Sequence, residues 1–490
     1  MIRSFTAVAC LLLAGLQMPL AHASEASNNA EINSLKQQLK QTRMLLEQMQ
    51  QRMDHLEQQV DHYSTVTAAQ KSASGQSVTS AALPEQQSHP VSPQPATPPG
   101  SIMPQYAASA VQPALPSVSG ANESANAFNP EISAVLNGGY QAFSQSPSGF
   151  SIPGFPLSDA AGLGKRGLHL NESELDLASN VDNLFYGSLT VSLSPAGGAN
   201  VEEAYVQTLT APFGLTLKAG RFFSGIGYLN QFHSHHDDFI DRPLPNRAFL
   251  NTQFGDDGVQ LRWLAPTDTF LEFGGELYSG HAFPGGGGAF RGQGTWDAFM
   301  NVGGDIGYSQ SWKAGISYLQ ARSTARSAFD AAGNVIGNFT GNSRLWLANL
   351  VWKWAPNGNP VNQNFRFQSE FFYRHERGLF GAAATPGAAY LGRQFGWYTE
   401  GVYQFMPRWR IGLRHAELFA NNSGAAVIAA GVLDTRGHRP RRDSAVLGFS
   451  NSEFSRIRLQ LSRDATQPKI DYQLGLQYIM LIGAHGAHQF

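Results

Sequence analysis

The stretch YQLGLQYIMLI, residues 472–482, places an apolar side chain at every second position. These side chains are Tyr472, Leu474, Leu476, Tyr478, Met480 and Ile482, and the positions between them begin with Gln473, Gly475 and Gln477. Successive side chains of a β-strand point to opposite faces, so the pattern predicts a strand with one apolar and one more polar face. Its length is close to the ~9–11 residues with which a tilted strand crosses a bilayer.

The same alternation recurs from residue 129 to residue 490. It is clear in RWRIGLRH (408–415) and in SRIRLQLS (455–462), where isoleucine and leucine alternate with arginine. We count about sixteen such segments, each near the length of a tilted membrane strand. Residues 129–490 are therefore predicted to be all-β and to form a transmembrane antiparallel β-barrel of about sixteen strands.

The connections between these segments alternate in length. The short ones are 180–183, 211–214, 265–268, 308–311, 355–360, 406–408 and 451–454. The long ones include 146–164, 223–254, 280–294, 322–342, 376–391 and 419–442. Bacterial outer-membrane barrels have short periplasmic turns and longer outer loops. The pattern therefore predicts an even number of strands, with both ends of the barrel on the periplasmic side.

Large aromatic side chains lie near the predicted strand ends, at positions that are expected to face outward. They are Trp346, Trp352, Trp354, Trp397, Tyr403, Phe405 and Trp409. Aromatic side chains are common at this depth, where the lipid headgroups lie. Packing inside a soluble β-sandwich is the alternative, but it does not explain arginines on the polar phase of successive strands. A sixteen-stranded barrel cannot be filled by its own side chains, so transport through a pore is the predicted function.

The amino terminus and the composition restrict the cellular location. Residues 1–23 have the charged, apolar and small-residue order of a secretory signal peptide, ending in Ala21-His22-Ala23. Cys10 is the only cysteine and lies inside this signal, so the mature chain is predicted to have no disulfide and no cysteine metal ligand. The formal net charge of −2 argues against a nucleic-acid partner. The predicted location is the bacterial outer membrane, with its lipid as a partner.

Residues 31–63 carry apolar side chains at alternating spacings of three and four, which predicts a coiled coil. One seam holds Ile32, Leu39, Leu46, Met53 and Val60, and the other holds Leu35, Thr42, Met49, Leu56 and Tyr63. A coiled coil needs partner chains, so a homo-oligomer is predicted; the alternative is a single amphipathic helix packed on a domain. Residues 64–128 are rich in Ser, Ala, Pro and Gln and are predicted to be a disordered linker. Both segments are expected in the periplasm.

Charged residues of the polar phase are divided along the chain. Late strands carry Arg366, Arg374, Arg408, Arg410, Arg414, Arg456 and Arg458, together with Glu370 and Glu400. Early strands carry Glu172, Glu174, Asp176 and Glu203. We expect these side chains to line the pore and to influence which ions it admits. The alternative is that opposite charges pair along a wet barrel wall.

The stretch QFHSHHDDFIDRPLPN, residues 231–246, concentrates His233, His235, His236, Asp237 and Asp238. Imidazole and carboxylate groups are suitable zinc ligands, so one hypothesis is an open, weak zinc site; no other cofactor is predicted. The other hypothesis is a polar filter for solutes, because no regular ligand motif such as H-E-x-x-H is present. Histidine is also the side chain that most readily changes charge near neutral pH.

Several segments resemble known outer-membrane proteins. LTLKAGRFFSGIGYLNQF (215–232) and DRPLPNRAF (241–249) resemble the phosphate-selective porin O and P family. VWKWAPNGNP (351–360), GVYQFMPRWRIGLR (401–414) and QYIMLIGAHGAHQF (477–490) are more closely similar to a group of proteobacterial outer-membrane proteins often labelled zinc-regulated TonB-dependent receptors. The resemblance covers essentially all of residues 129–490.

The resemblance implies a sixteen-stranded, trimeric porin whose third outer loop, 223–254, folds into the barrel and narrows it. The His and Asp cluster would then face the constriction.

A TonB-dependent receptor needs a plug domain and about twenty-two strands, whereas a coiled coil and a linker precede the barrel here. We therefore predict a passive diffusion channel for small polar or charged solutes. The alternatives are an outer-membrane receptor linked to zinc or another metal ion, and a trimeric surface adhesin. No nucleophile motif such as G-x-S-x-G is present, so no enzyme activity is predicted.

Overall fold

The computed structural model describes residues 131–483, with gaps at 195–196, 287–293, 382–386 and 432, and in addition Lys40. Apart from Lys40, the predicted signal peptide, coiled coil and linker lie outside the described residues. Within the described ranges, no helix combines the length and the apolar character needed to cross a membrane.

Seventeen β-strands form one antiparallel sheet within residues 131–483. The first nine are β1 (Glu131–Phe143), β2 (Gly167–Leu170), β3 (Ser173–Asn180), β4 (Phe185–Leu193), β5 (Ala199–Thr208), β6 (Leu215–Phe223), β7 (Gly255–Leu264), β8 (Phe270–Tyr278) and β9 (Thr295–Ile306). The other eight are β10 (Gln310–Phe329), β11 (Val335–Trp354), β12 (Asn364–Gly381), β13 (Ala388–Met406), β14 (Trp409–Ser423), β15 (Arg441–Ser452), β16 (Ser455–Ala465) and β17 (Asp471–Gly483). Two short helices, α1 (Leu244–Leu250) and α2 (Ala425–Ala430), lie in connections between strands.

The sheet closes on itself. One edge of β1 pairs with β17, from Ser133 opposite Gly483 to Phe143 opposite Gln473. The other edge of β1 pairs with β2 and β3, which lie end to end and occupy a single position in the ring. The result is a closed antiparallel barrel of sixteen strand positions, which leaves no open sheet edge. The predicted antiparallel β-barrel and its sixteen strand positions are confirmed.

Short turns occur at one end of the barrel, where the sequence predicts them: 181–184, 209–214, 265–269, 307–309, 355–363, 407–408 and 453–454. At the other end, two of the predicted long loops are wrong. Only 330–334 separates β10 from β11, and only 382–387 separates β12 from β13. These strands continue to alternate buried and exposed side chains, so their hydrogen-bonded ladder extends to within a few residues of the tip.

The two faces of the wall have the polarity that the sequence predicts. In β17, Tyr472, Leu474 and Leu476 are exposed on the outside, whereas Gln473 and Gln477 are buried on the inside. Aromatic pairs such as Tyr318–Trp346, with ring centroids 4.4 Å apart, lie on the outer face of neighbouring strands. The outer surface is therefore apolar, as contact with lipid requires.

Residues 224–254, which connect β6 and β7 and are called the internal segment below, lie inside the barrel. The segment contacts strands on several sides of the ring, including β3, β8, β12, β14 and β16. Its helix α1 is buried at every residue, and Asn251, which follows its last residue, has a left-handed backbone conformation with φ of 53°. Phe249 of α1 stacks on Phe372 of β12, with ring centroids 5.6 Å apart.

The largest apolar cluster of the described residues lies between the internal segment and the inner wall. Phe150, Ile152 and Phe155, from the connection between β1 and β2, complete it together with Leu244 and Phe249. Burying each such side chain stabilises a fold by roughly 1.5–3 kcal/mol. Although the outer face of the barrel is apolar, this apolar cluster lies inside the ring. The cluster holds the internal segment in position against the inner wall.

Candidate functional site

One side of the inner wall is acidic. Glu174 of β3 lies beside Glu202 and Glu203 of β5. Strict alternation would place Glu202 and Glu203 on opposite faces, but β5 contains a bulge: Glu203 pairs with Thr190 and Val201 pairs with Val191, so Glu202 is an extra residue. A bulge changes the direction of side chains locally. Both carboxylates therefore reach the same histidine.

His233 of the internal segment lies among these three carboxylates. Its Nδ1 atom is 3.2 Å from Glu174 Oε2 and 3.3 Å from Glu202 Oε2, and its Nε2 atom is 3.0 Å from Glu203 Oε2. Burial alone would lower the pKa of His233, but the neighbouring carboxylates of Glu174, Glu202 and Glu203 outweigh it and raise this pKa well above 6.5.

The next histidines continue along the acidic wall. His235 Nδ1 lies 3.1 Å from Glu174 Oε1, and the His235 side chain is almost completely buried. The rings of His233 and His235 are stacked, with centroids 5.7 Å apart, and His236 packs against His235 at 4.2 Å. The imidazole rings of His233 and His235 thus lie beside the carboxylates of the acidic wall.

Another part of the inner wall, on β12, β14 and β16, is basic and contacts the aspartates of the segment. Asp238 pairs with Arg366 of β12, and its Oδ1 atom lies 3.6 Å from Arg410 of β14 and 4.0 Å from Arg456 of β16. Burial alone would raise the pKa of Asp238, but the three arginines lower it below its ordinary value.

Asp237 forms an ion pair with Arg242 of the segment itself, at 2.6 Å. Burial raises the pKa of Asp237 in spite of this arginine.

Asp241 anchors the segment further along. Its carboxylate oxygens lie 2.5 Å from Arg414 of β14, 2.6 Å from Arg442 of β15 and 3.0 Å from Arg247 of α1. Burial alone would raise the pKa of Asp241, but Arg442, Arg414 and Arg247 hold it well below 3.8. Sequence reasoning did not single out Asp241, Arg442 or Glu202. The adjacent pair Glu202–Glu203 in a predicted strand was the one available signal.

The five residues proposed from sequence as metal ligands are therefore not brought together. His233 and His235 lie at the acidic wall, whereas Asp237 and Asp238 form ion pairs with arginines. The reason is electrostatic complementarity: the histidines lie next to glutamates of β3 and β5, and the aspartates lie next to arginines.

The predicted pore-lining residues also divide. Arg366, Arg410 and Arg456 keep between 17 and 24% of their side chains exposed. Arg374, Arg458, Glu174, Glu370 and Glu400 are buried, which corrects the expectation that they line open water. Several of them hold the internal segment instead. Arg458 donates to the carbonyl oxygens of Asp237 and Phe239, and Arg374 donates to that of Ala248.

Glu370 has a specific role in the entry of the segment into the barrel. Its Oε1 atom accepts a hydrogen bond from the backbone N–H of Tyr228, at 2.5 Å. Gly227 precedes this bond with φ of 65°, and a Cβ atom there would lie 2.6 Å from Glu370 Oε1. Glycine is therefore favoured at position 227 by its backbone conformation, and a larger residue would also displace the carboxylate of Glu370.

Three further predicted residues lie at the margins of the inner wall. Asp176 of β3 is half-buried and accepts a hydrogen bond from Ser133. Glu172 is exposed at the break between β2 and β3. Arg408 is exposed in the two-residue turn between β13 and β14, with φ of 71°, so the prediction that it lies on a strand wall is wrong.

Comparison with known proteins identifies a relative. No family model matches the chain. A protein of Aquifex aeolicus (strain VF5), described as an uncharacterized protein, is 30% identical over 352 residues, which cover 66% of this chain and 71% of the relative. This chain belongs to the same family as the Aquifex protein.

Solved structures that resemble the chain are outer-membrane proteins. The trimer form of OmpT of Vibrio cholerae has a TM-score of 0.44 at 10% identity and covers 72% of this chain and 99% of its own. The outer-membrane channel DcaP of Acinetobacter baumannii has a TM-score of 0.43 at 10% identity, with 72% and 97% covered. An anion-selective porin from Comamonas acidovorans has a TM-score of 0.40 at 10% identity, with 72% and 99% covered. These likenesses concern the barrel alone.

Proposed function

We propose that this protein is an outer-membrane porin that passes small polar or charged solutes by passive diffusion. The observation that carries the proposal is the internal segment, which is held inside a closed sixteen-stranded ring between an acidic and a basic wall. A barrel of this size leaves an aqueous interior, and a segment that crosses this interior narrows it. Opposed charges on the two walls create a transverse field, which orients polar solutes.

The three partly exposed arginines are the groups we propose to meet the solutes. Arg366, Arg410 and Arg456 share the single carboxylate of Asp238, so positive charge is in excess around it. Rings of arginine side chains favour anions in pores. The proposed channel therefore admits anionic solutes more readily than cationic ones of the same size.

Recording of single channels in planar lipid bilayers tests this function. The purified full-length protein is expected to produce stepwise current increments of reproducible size, whereas the heat-denatured protein produces none. A correctly folded protein that inserts into the bilayer without any current step would contradict the porin proposal.

The assembly of the protein belongs to the same proposal. We infer a homotrimer in the outer membrane, with the predicted coiled coil of residues 31–63 in the periplasm. The support is the sequence pattern of the coiled coil, which needs partner chains. Chemical crosslinking of the detergent-solubilised protein tests the number of chains, and a monomer alone would refute the trimer.

A further inference from the structure

We propose that Glu174, Glu202 and His233 form a binding site for a divalent transition-metal ion of the Zn²⁺ class, which joins the internal segment to strands β3 and β5. One carboxylate oxygen of each glutamate and one ring nitrogen of the histidine lie within 4.8 Å of one another. This set shares only His233 with the ligands predicted from the sequence. It comes from three separate parts of the chain.

The surroundings of His233 orient its ring for metal binding. Nε2 lies 3.0 Å from Glu203 Oε2, so this nitrogen carries a hydrogen and donates it to the carboxylate. Metal-bound histidines usually donate their other ring N–H to such a partner, which fixes the tautomer and the ring orientation. Glu203 is thus a positioning residue, and it keeps Nδ1 directed toward Glu174 and Glu202. A metal ion would displace the hydrogen from Nδ1, as metal binding to histidine releases a proton.

The distances around Nδ1 fit a small cation. Nδ1 is 3.2 Å from Glu174 Oε2 and 3.3 Å from Glu202 Oε2. A tetrahedral zinc ion with bonds of about 2.0–2.1 Å separates neighbouring ligand atoms by roughly 3.3 Å. A hydrogen on Nδ1 is one donor and cannot serve both carboxylates equally, whereas a cation can bind all three atoms.

An independent observation concerns the two carboxylate oxygens. Glu174 Oε2 and Glu202 Oε2 are both buried, and within the described residues each has a ring nitrogen at ion-pair distance but accepts no hydrogen bond of good geometry. Glu174 Oε2 also lies 3.1 Å from His235 Nδ1. The Glu174 side chain is only 3% exposed. Buried carboxylate oxygens are normally satisfied by donors or by a metal ion. These two oxygens are also the two atoms that approach His233 Nδ1.

The ligand types select the class of ion. One imidazole and two carboxylates suit Zn²⁺ and similar divalent transition metals. Ca²⁺ and Mg²⁺ prefer shells made of oxygen atoms alone. Three protein ligands leave one position of a tetrahedral ion open for water or for an anionic group of a solute. The ion would add positive charge to the acidic wall and link the segment to it.

Isothermal titration of the purified full-length protein with ZnCl₂, after removal of metal with a chelator, tests the site. Wild type is expected to bind one ion per chain. The variants Glu174→Gln, Glu202→Gln and His233→Ala are expected to lose this binding. Glu203→Gln is expected to keep it with about 10–100-fold weaker affinity, the usual effect of removing a partner behind a ligand.

A matched control is His415→Ala. His415 of β14 contacts Asp443 of β15, with Nδ1 and Oδ1 2.7 Å apart, so it is also a histidine paired with a carboxylate on a strand. Its removal should leave Zn²⁺ binding unchanged. Loss of binding in this variant would show that the ion binds at His415 and not at His233, and would overturn the proposal.

X-ray absorption of the zinc-loaded wild type provides a test without any variant that could misfold. A first shell with one nitrogen and at least two oxygens of the protein is expected. No saturable binding, a shell that lacks histidine, or binding that survives Glu202→Gln would overturn the site. These measurements need no current through the protein, so their failure is separate from a failure of the porin proposal.

Discussion

Asp241 is an acidic residue of the internal segment whose charge is satisfied from three elements. Arg247 of α1, Arg414 of β14 and Arg442 of β15 each place a guanidinium nitrogen within 3.0 Å of its carboxylate. Buried ion pairs contribute little net stability compared with apolar residues, but the loss of one partner is costly because the other charge stays buried. Asp241 therefore fixes the position of the internal segment more than it adds to the total stability.

The substitution Asp241→Asn should loosen the internal segment. Three buried guanidinium groups would lose their shared carboxylate, and removal of one partner of a buried pair costs about 3–5 kcal/mol. Hydrogen exchange of the amides of residues 234–250, in detergent micelles, measures the effect as a loss of protection. The barrel strands should keep their protection, because their ladder does not involve Asp241.

Asp257→Asn is the control for this substitution. Asp257 forms a comparable pair with Arg221, at 2.7 Å, but both side chains are about half exposed. Pairs of this kind contribute about 0–1 kcal/mol. Equal losses of protection in the two variants would show that burial of the pair does not determine its importance.

The attachment of the segment should depend on pH in the acidic range. The carboxylate of Asp241 faces Arg247 of its own segment, Arg414 of β14, and Arg442 and Gln460 of β15 and β16, with Asp464 behind Arg442. Its folded pKa lies below 3.8, so the undocked state binds a proton more readily. The stabilisation of the segment by Asp241 is complete at pH values above the ordinary pKa of aspartate. It is lost progressively as the pH falls below that value toward the folded pKa.

Proteolysis of the internal segment between pH 7 and pH 3, with an acid-tolerant protease, measures this dependence. Wild type should resist cleavage down to about pH 4, near the ordinary pKa of aspartate, and become susceptible below it. Asp241→Asn should be more susceptible throughout and should depend less on pH. A wild-type protein that becomes susceptible between pH 7 and pH 5 would contradict this account.

At the scale of elements, the internal segment narrows the open cross-section of the proposed channel. It combines apolar anchors, such as Leu244 and Phe249, with charged groups directed at both walls. If residues 234–250 are replaced by a short Gly-Ser linker, the conductance of a single channel should rise several-fold, because the interior of a sixteen-stranded barrel is wide without a plug.

Shortening the hairpin tip 330–334 is the control for that replacement. This tip is a turn between β10 and β11 with largely exposed side chains, so its removal should leave the conductance unchanged. An internal deletion that also leaves the current unchanged would mean that the segment does not narrow the path of the ions.

The basic wall should determine ion preference. Replacement of Arg366, Arg410 and Arg456 by Gln removes three positive charges around Asp238 and should reduce the permeability of chloride relative to potassium. The reversal potential in a salt gradient measures this ratio. Arg393→Gln is the control, since Arg393 is exposed on the outward phase of β13. A shift of the reversal potential in the control alone would refute the assignment.

The elements of this fold follow from local sequence, whereas the contacts of the site do not. Alternation of side chains predicts strands such as 472–482 because the period of a strand is two residues. The same rule misses the bulge at Glu202, since one extra residue leaves no distinct local pattern. The pairing of Asp238 with Arg366 joins positions 128 residues apart. Such a contact depends on which strands face each other across the ring, and spacing along the chain does not encode this.

At the scale of the whole molecule, the barrel needs no residue before position 131 to close. β1 and β17 pair along eleven residues, from Ser133 to Phe143, and every strand of the ring has two neighbours. A chain that keeps residues 1–23 and lacks residues 24–128 is therefore expected to reach the membrane, to fold and to conduct like the full chain. Single-channel recording of both forms in parallel measures this.

Oligomer stability should respond differently to the same truncation. The heptads of residues 31–63 are predicted to join chains, so the form without them should dissociate into monomers at a lower temperature in semi-native gel electrophoresis. Deletion of the linker 64–128 alone is the matched control. It shortens the amino-terminal region but keeps the heptads, and it should leave the dissociation temperature close to that of the full chain. If both deletions lower this temperature equally, the length of the amino-terminal region and not its heptads contributes to assembly. If neither does, the strands of the barrel alone hold the chains together.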